Sequence, residues 1–337
     1  MTTMTTAKAA AGSDFAELNR RIRDAGLMDR RPAYYVARLT SVALLLAGTW
    51  VTFFLLGSSW WNIGVAAVLA VAYAQLALVA HDLAHRQVFR TATASGRAGL
   101  IAGNLGIGMS YGYWQHKHTK HHANPNHDDL DPDVGPGALV WDRTSAAERT
   151  GFQAWLTRHQ AWLFFPLLTL LGIALRKDSI VALRRDNIKQ RGLEATLLGV
   201  HIVVYLATLL IVLSPLQALV FFVVHQALFG VYLGLTFAPN HKGMPHPTGD
   251  EDFLRKQVLT SRNVRGGMLV EVGLGGLNYQ IEHHLFPAMP TPNLRKAQPM
   301  VERYCAEVGV SYEATGLMES YRLALAHLHE VGADLRK

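Results

Sequence analysis

The chain has 337 residues, 50% of them hydrophobic and only 17% charged, which excludes an ordinary soluble domain, where about a quarter are charged. Its net charge of +7 reads as basic loops lying against anionic lipid headgroups; no basic residues interleave with aromatics on one element, so nucleic acid is excluded as a partner. The single cysteine, Cys305, excludes an intrachain disulfide and a thiolate-ligated iron–sulfur cluster.

In chain order, residues 1–12 are Thr/Ala-rich and expected to be disordered. Residues 14–27 read as a basic amphipathic helix on the bilayer surface. No cleavable signal peptide is visible, because the first thirty residues are polar. Residues 39–81 and 195–241 contain no Asp, Glu, Lys or Arg. Each run is long enough for two spans of about 20 residues, and each breaks in its middle, at Gly57-Ser58-Ser59 and at Ser214-Pro215. The pattern predicts spans near residues 39–56, 61–80, 196–213 and 217–239, paired as two helical hairpins, since a helix satisfies its own backbone in lipid. The apolar piece 161–175 is short for a span and contains Pro166; it is expected to be interfacial or re-entrant. Residues 293–309 and 313–330 read as further helices.

The fold class expected is therefore an all-α integral membrane protein, with four transmembrane helices in two hairpins and a cytoplasmic helical cap. The organisation expected is an N-terminal cytoplasmic segment 1–33, a membrane domain 34–305 and a C-terminal cytoplasmic helix 306–337. Orientation follows from positive charge, which short cytoplasmic loops retain. Neither hairpin turn carries Lys or Arg, whereas Arg30, Arg31, Arg38, Arg86, Arg90, Arg184, Arg185 and Lys189 flank the spans. Both termini and the middle segment are thus assigned to the cytoplasm, at the plasma membrane if the source is bacterial.

The histidines gather at the span ends on that side. His81 and His85 lie in HDLAH; His116, His118, His121 and His122 in WQHKHTKHH; His241 in APNHKG; His283 and His284 in NYQIEHHLFP. Positions three and four apart share a helix face. Helical spacing therefore turns His118, His121 and His122 to one point, with His116 nearly opposite. Gln280, His283 and His284 repeat the pattern, with Glu282 pointing away. Neutral imidazole ligates iron, zinc and copper, and so many exceed what one tetrahedral zinc uses; two metals suit them. Asp82 and the HDDLDPD carboxylates (Asp128, Asp129, Asp131, Asp133) are read either as orienting the ligating rings from outside or as loop solvation. Isolated His201 and His225 are read as packing residues, and His127, His159, His246, His327 and His329 as surface or loop residues.

Taken together, HDLAH, HTKHH and QIEHH, set around two membrane hairpins, resemble the integral membrane fatty-acid desaturase family, and GGLNYQIEHHLFP is similar to its front-end, acyl-lipid branch. The resemblance implies an oxygen-dependent enzyme with two iron ions and O2 as co-substrate, removing two hydrogens from an acyl chain. It implies as ligands His81, His85, His118, His121, His122, His283 and His284, with His241 as an additional ligand. Gln280, Asp82, Asn240 and His116 are candidates to support these ligands from outside, with Gln280 left open between binding metal and hydrogen-bonding a metal-bound water, and His116 between support and the surface. The partners implied are an acyl-lipid, acyl-CoA or acyl-carrier substrate and, separately, the membrane lipids around the spans.

Two features depart from the family's commoner pattern. Gln280 stands where a third-box histidine is usual, as in the front-end branch. The HPGG haem motif of a fused cytochrome b5 domain is missing; HPTG at residues 246–249 is a superficial likeness. Electrons are therefore expected from a separate ferredoxin or cytochrome b5-type donor with its reductase. A related di-iron hydroxylase or ketolase would carry the same boxes. A metal-ion transporter is the alternative of a different class, but it requires polar residues at mid-span, where this chain offers His201, His225 and a few Gln, Ser and Thr.

Overall fold

The computed structural model describes residues 13–135, 137–184 and 188–336; the disorder expected for residues 1–12 lies outside them, as does Arg185. Helix α1 (Asp14–Asp24) leads to the first hairpin, α2 (Pro32–Leu56) and α3 (Asn62–Ala84). Next come α4 (Ala92–Leu100), a π-helical turn (Ile101–Ile107), α5 (Tyr111–Ala123), α6 (Arg143–Ala147), α7 (Gly151–Leu168) and α8 (Leu171–Ala182). The second hairpin is α9 (Arg191–Val212) and α10 (Pro215–His241). The remainder is α11 (Phe253–Leu259), β1 (Asn263–Arg265), α12 (Met268–Gly273), α13 (Gln280–Leu285), α14 (Thr291–Glu307), β2 (Ala314–Gly316) and α15 (Leu317–Val331).

Four helices, α2, α3, α9 and α10, are long and apolar enough to cross a membrane. Their hairpin turns follow local chemistry. Gly57, at φ +54°, takes a left-handed conformation that disfavours a Cβ. Ser214 and Gln217 form a reciprocal capping box at the start of α10, with Pro215 in the first turn. The two turns also touch: the Ser58 hydroxyl donates to Gln217 Oε1 at 2.7 Å, and Gln217 Nε2 donates to the Ser58 carbonyl at 3.3 Å. Both tips therefore lie at one end of the bundle, which puts His81 and His241, in the last turns of α3 and α10, at the other.

The bundle core is built from Phe53, Leu69, Tyr73, Phe221, Phe229 and Leu233. Helix α8 wedges into it where two glycines permit close approach. A Cβ on Gly230 would sit 2.4 Å from the Leu168 carbonyl oxygen and 2.7 Å from the Gly172 nitrogen. Pro239 lies inside α10 and cannot donate to the Leu235 carbonyl four residues back. The Tyr321 hydroxyl of α15 takes up that carbonyl at 2.6 Å, tying the C-terminal helix to the last turns of α10.

A second core lies in the cap, where Leu254, Val258, Ile281, Leu285, Leu294 and Val301 pack with Leu18 and Ile22 of α1. The expected bilayer-surface helix over residues 14–27 is thus shorter and belongs to the cap. Its apolar face is buried, and Arg255 and Tyr304 hold Asp14 at 2.9 and 2.7 Å. Residues 161–175, expected to be interfacial or re-entrant, comprise the end of α7, a turn at Thr169 and Leu170, and the start of α8. One addition to the helical reading is a two-stranded parallel pair, β1 against β2, with Val264 opposite Thr315. Strands of three residues carry too little alternation to be read from sequence.

Candidate metal centre

Eight imidazoles meet where the ends of α3 and α10 enter the cap. His81 stands in the last turn of α3, and His85 is its C-cap residue. His118, His121 and His122 lie on α5, which starts at a Ser110 cap whose hydroxyl accepts from Tyr113 N. His241 ends α10, and His283 and His284 lie on α13.

The rings sort into two adjoining groups. His81, His85, His118, His122 and His283 each bring one nitrogen within 4.8 Å of the others, as do His121, His241 and His284. In the first group, His118 Nε2 lies 2.9 Å from the Nε2 atoms of both His85 and His122, and His122 Nε2 lies 3.1 Å from His283 Nε2. In the second, His241 Nε2 is 3.3 Å from His121 Nε2 and 3.1 Å from His284 Nε2. The groups meet where His122 and His284 stack, with ring centres 4.2 Å apart.

These spacings fit a shared cation. Nitrogens held about 2.1 Å from a metal lie about 3.0 Å apart in octahedral and about 3.4 Å apart in tetrahedral arrangement. The outer nitrogens of the second group strengthen the fit. His121 Nδ1 lies 2.9 Å from Asp131 Oδ2, His241 Nδ1 3.0 Å from the Thr260 carbonyl, and His284 Nδ1 2.9 Å from Gln257 Oε1. Each acceptor holds the proton on Nδ1, which leaves the Nε2 lone pair facing the common point. In the first group the buried His81 Nε2 has no hydrogen-bond partner among the described residues. Burial, then the neighbouring imidazoles, holds His85, His118, His122, His283 and His284 well below the usual histidine range. They are therefore neutral, the form that binds metal.

The expectation that each box turns to one point is corrected. Residues four apart, 40° around a helix, share a group, as His118 and His122 do; adjacent residues, 100° apart, do not. His121 parts from His122, and His284 from His283. Asp82 is also corrected: its carboxylate accepts from the Thr291 hydroxyl at 3.2 Å and lies 3.5 Å from His81 Nδ1, beyond hydrogen-bond reach. The sequence left Asp131 open between two roles; in the structure it faces His121 and accepts from the backbone N–H groups of Asn126 and Asp133. Gln257 and the Thr260 carbonyl were missed, since nothing local in the sequence singles them out.

Gln280 lies beside the second group, its Nε2 2.9 Å from His241 Nε2 and its Oε1 accepting from Asn240 at 3.2 Å. His116 is exposed and belongs to neither group. His201 is bound to the Leu105 carbonyl and His225 to the Tyr205 hydroxyl, both apart from the groups. Glu282 turns away into the cap, accepting from Asn263 Nδ2 at 2.7 Å and from the Tyr312 hydroxyl at 2.8 Å; burial pushes it up to about 7.

A cavity of about 270 Å³ borders both groups. Ala77, Met109, Phe164, Leu171, Leu175 and Leu233 line its apolar wall, and His81, His118, His121, His241, Gln280 and Trp114 line the side towards the metal positions. The Trp114 indole stacks on the His118 ring at 4.5 Å. Trp60 and Trp61 are 51% and 80% exposed at the first hairpin turn and lie outside it.

Comparison with known proteins gives a consistent picture. A family model described as "Fatty acid desaturase" matches residues 58–316. The chain is 31% identical to the acyl-lipid (9-3)-desaturase of Physcomitrium patens, over 94% of this chain and 62% of that protein. It is 30% identical to fatty acid desaturase 3 of Bos taurus, over 89% and 68%. It is 28% identical to the delta(8)-fatty-acid desaturase of Euglena gracilis, over 90% and 74%. The chain thus spans less than two thirds of the length of the Physcomitrium relative.

Proposed function

Because the chain belongs to the fatty acid desaturase family, we propose that it is a membrane-embedded, oxygen-dependent oxidoreductase that introduces a double bond into an acyl chain. The observation that carries this reading is the junction of the two histidine groups with a mostly apolar cavity. Neither alone suffices, since histidine clusters also serve hydrolysis and transport.

In this proposal His81, His85, His118, His122 and His283 hold one iron, and His121, His241 and His284 hold the other. The pair would supply the oxidising power that removes two hydrogens from adjacent methylene carbons. The electron balance requires a donor: dioxygen accepts four electrons on its way to two waters, and the chain gives up only two. A ferredoxin or a cytochrome b5-type protein with its reductase fits that need. The positive flanks of the spans favour a cytoplasmic face for the site, within reach of such a donor.

The protein's own residues do the positioning. Ala77, Leu171, Leu175 and Leu233 exclude water from the methylenes. Trp114 fixes the His118 ring by stacking, and Asp131, Thr260 and Gln257 fix the three rings of the second group. The Gln280 amide, held by Asn240, faces the second group from the cavity side and is placed to donate a hydrogen bond there.

Expression in cells that lack the activity, followed by gas chromatography of the lipid extract with double-bond localisation, tests the proposal. A new unsaturated acyl chain is expected. Hydroxylated or ketone products would assign the site to a related oxidation, and an unchanged extract would refute it.

A further inference from the structure

Along α10 the cavity lining runs from Leu233 to Lys242, about 14 Å of helix rise. The Leu233 end is apolar. The Lys242 end is cationic: Lys117 of α5 and Lys242 both line it, beside Asp133 and Trp141. An apolar cavity does not need two ammonium groups, and a half-buried cation is costly unless something answers its charge.

The protein answers it only in part. Lys117 Nζ pairs with Asp133 Oδ1 at 2.6 Å. Lys242 Nζ donates to the Asp133 backbone carbonyl at 3.0 Å and lies over the Trp141 ring, 4.4 Å from its centre. Asp133 thus holds both ammonium groups, Lys117 by its carboxylate and Lys242 by its backbone carbonyl. Asp131 adds its charge from nearby, but its oxygens are taken by His121 and by two backbone N–H groups, so it offers neither ammonium an acceptor. Each ammonium has three donor positions, and the pair borders the lumen beside His118 and His241.

We propose that Lys117 and Lys242 form a seat for the polar end of the acyl substrate, donating to its carbonyl or carboxylate oxygen while the chain lies along α10 towards Leu233. This rests on the acyl reading of the cavity and deepens it. The seat fixes which methylenes stand opposite the histidines, because Lys117 and Lys242 each adjoin a proposed ligand in sequence. Asp133 is then a resident anion that the substrate displaces or shares.

The experiment is equilibrium binding to the purified full-length protein in detergent at neutral pH. Chain-brominated palmitate quenches tryptophan fluorescence, Trp114 and Trp141 being in the lining; unlabelled palmitate and 1-hexadecanol compete. Wild-type protein is expected to prefer palmitate. Lys242→Met and Lys117→Met should each weaken palmitate about tenfold, the size of a lost charge-assisted hydrogen bond, and leave 1-hexadecanol unchanged. Asp133→Asn, which removes the competing anion, should tighten palmitate.

Four results would overturn the seat. These are no palmitate preference in the wild type, wild-type palmitate affinity in both lysine variants, equal weakening of both ligands, and weakening by Asp133→Asn to the extent seen for Lys117→Met. Turnover is not read, so a protein that seats palmitate by charge yet forms no double bond would refute the proposed function alone.

Discussion

His121 and His122 are neighbours in sequence and members of different groups: His122 Nε2 lies 3.1 Å from His283 Nε2, whereas His121 Nε2 lies 3.3 Å from His241 Nε2. If each group holds one iron, the two residues are separable by metal content. His122→Ala and His121→Ala should each retain close to one iron per chain by mass spectrometry. Each should lose turnover by at least about 100-fold, since even partners outside the ligand set cost 10–100-fold. Exposed His116→Ala should keep both irons and most activity.

Asp131 gives a second prediction. It is 2% exposed and accepts a hydrogen bond from His121 Nδ1. Asp131→Asn keeps the shape and removes the charge that orients and enriches the ring. Affinity for the second metal should fall about 10–100-fold, measured by metal titration of stripped protein. Asp129→Asn, at an exposed position of the same loop, is expected to titrate like wild type.

Packing of α8 against α10 is tested at Gly230. A valine there would drive its Cβ into the Leu168 and Gly172 backbone, and overpacking of this kind costs about 1–3 kcal/mol. The thermal midpoint in detergent should fall. Gly199→Ala, where an added Cβ meets nothing, should be neutral or stabilising by up to about 1 kcal/mol through helix propensity.

The only cysteine offers a pH prediction. Cys305 is fully buried, and burial first, then the Glu282 charge, pushes its thiol up to about 12. A raised thiol pKa means less thiolate at any given pH, and thiolate is the reactive form. At pH 8 the folded protein should react with a disulfide reagent at no more than about 1% of the rate after denaturation, where the thiol returns to about 8.5. Reactivity should climb only as the pH approaches 12 or the cap unfolds.

Much of this was legible in the sequence, because membrane spans and histidine boxes announce themselves locally. Charge-free runs of 40 or more residues permit few structures in lipid, and the four helices follow them, although α2 begins at Pro32 and α10 runs to His241, beyond the expected ends. Charged ends extend helices without showing in hydropathy. The site was legible in membership and misread in grouping. Spacing of three or four says which side chains share a face, whereas the partition of His121 from His122 depends on where α10 and α13 approach, which is tertiary information. The same holds for Asp82 and Asp131. Both are carboxylates near a box, yet Thr291, distant in sequence, draws one away, and a turn through Asn126 and Asp133 aims the other. Helix α1 was misplaced because an amphipathic pattern does not say whether its apolar face meets lipid or protein.

The most direct test of the central claim is the metal content of the wild-type protein, purified without chelators and measured by elemental mass spectrometry against quantitative amino-acid analysis. The account predicts close to two irons per chain. One zinc per chain with no iron, in protein whose histidines are intact, would contradict it.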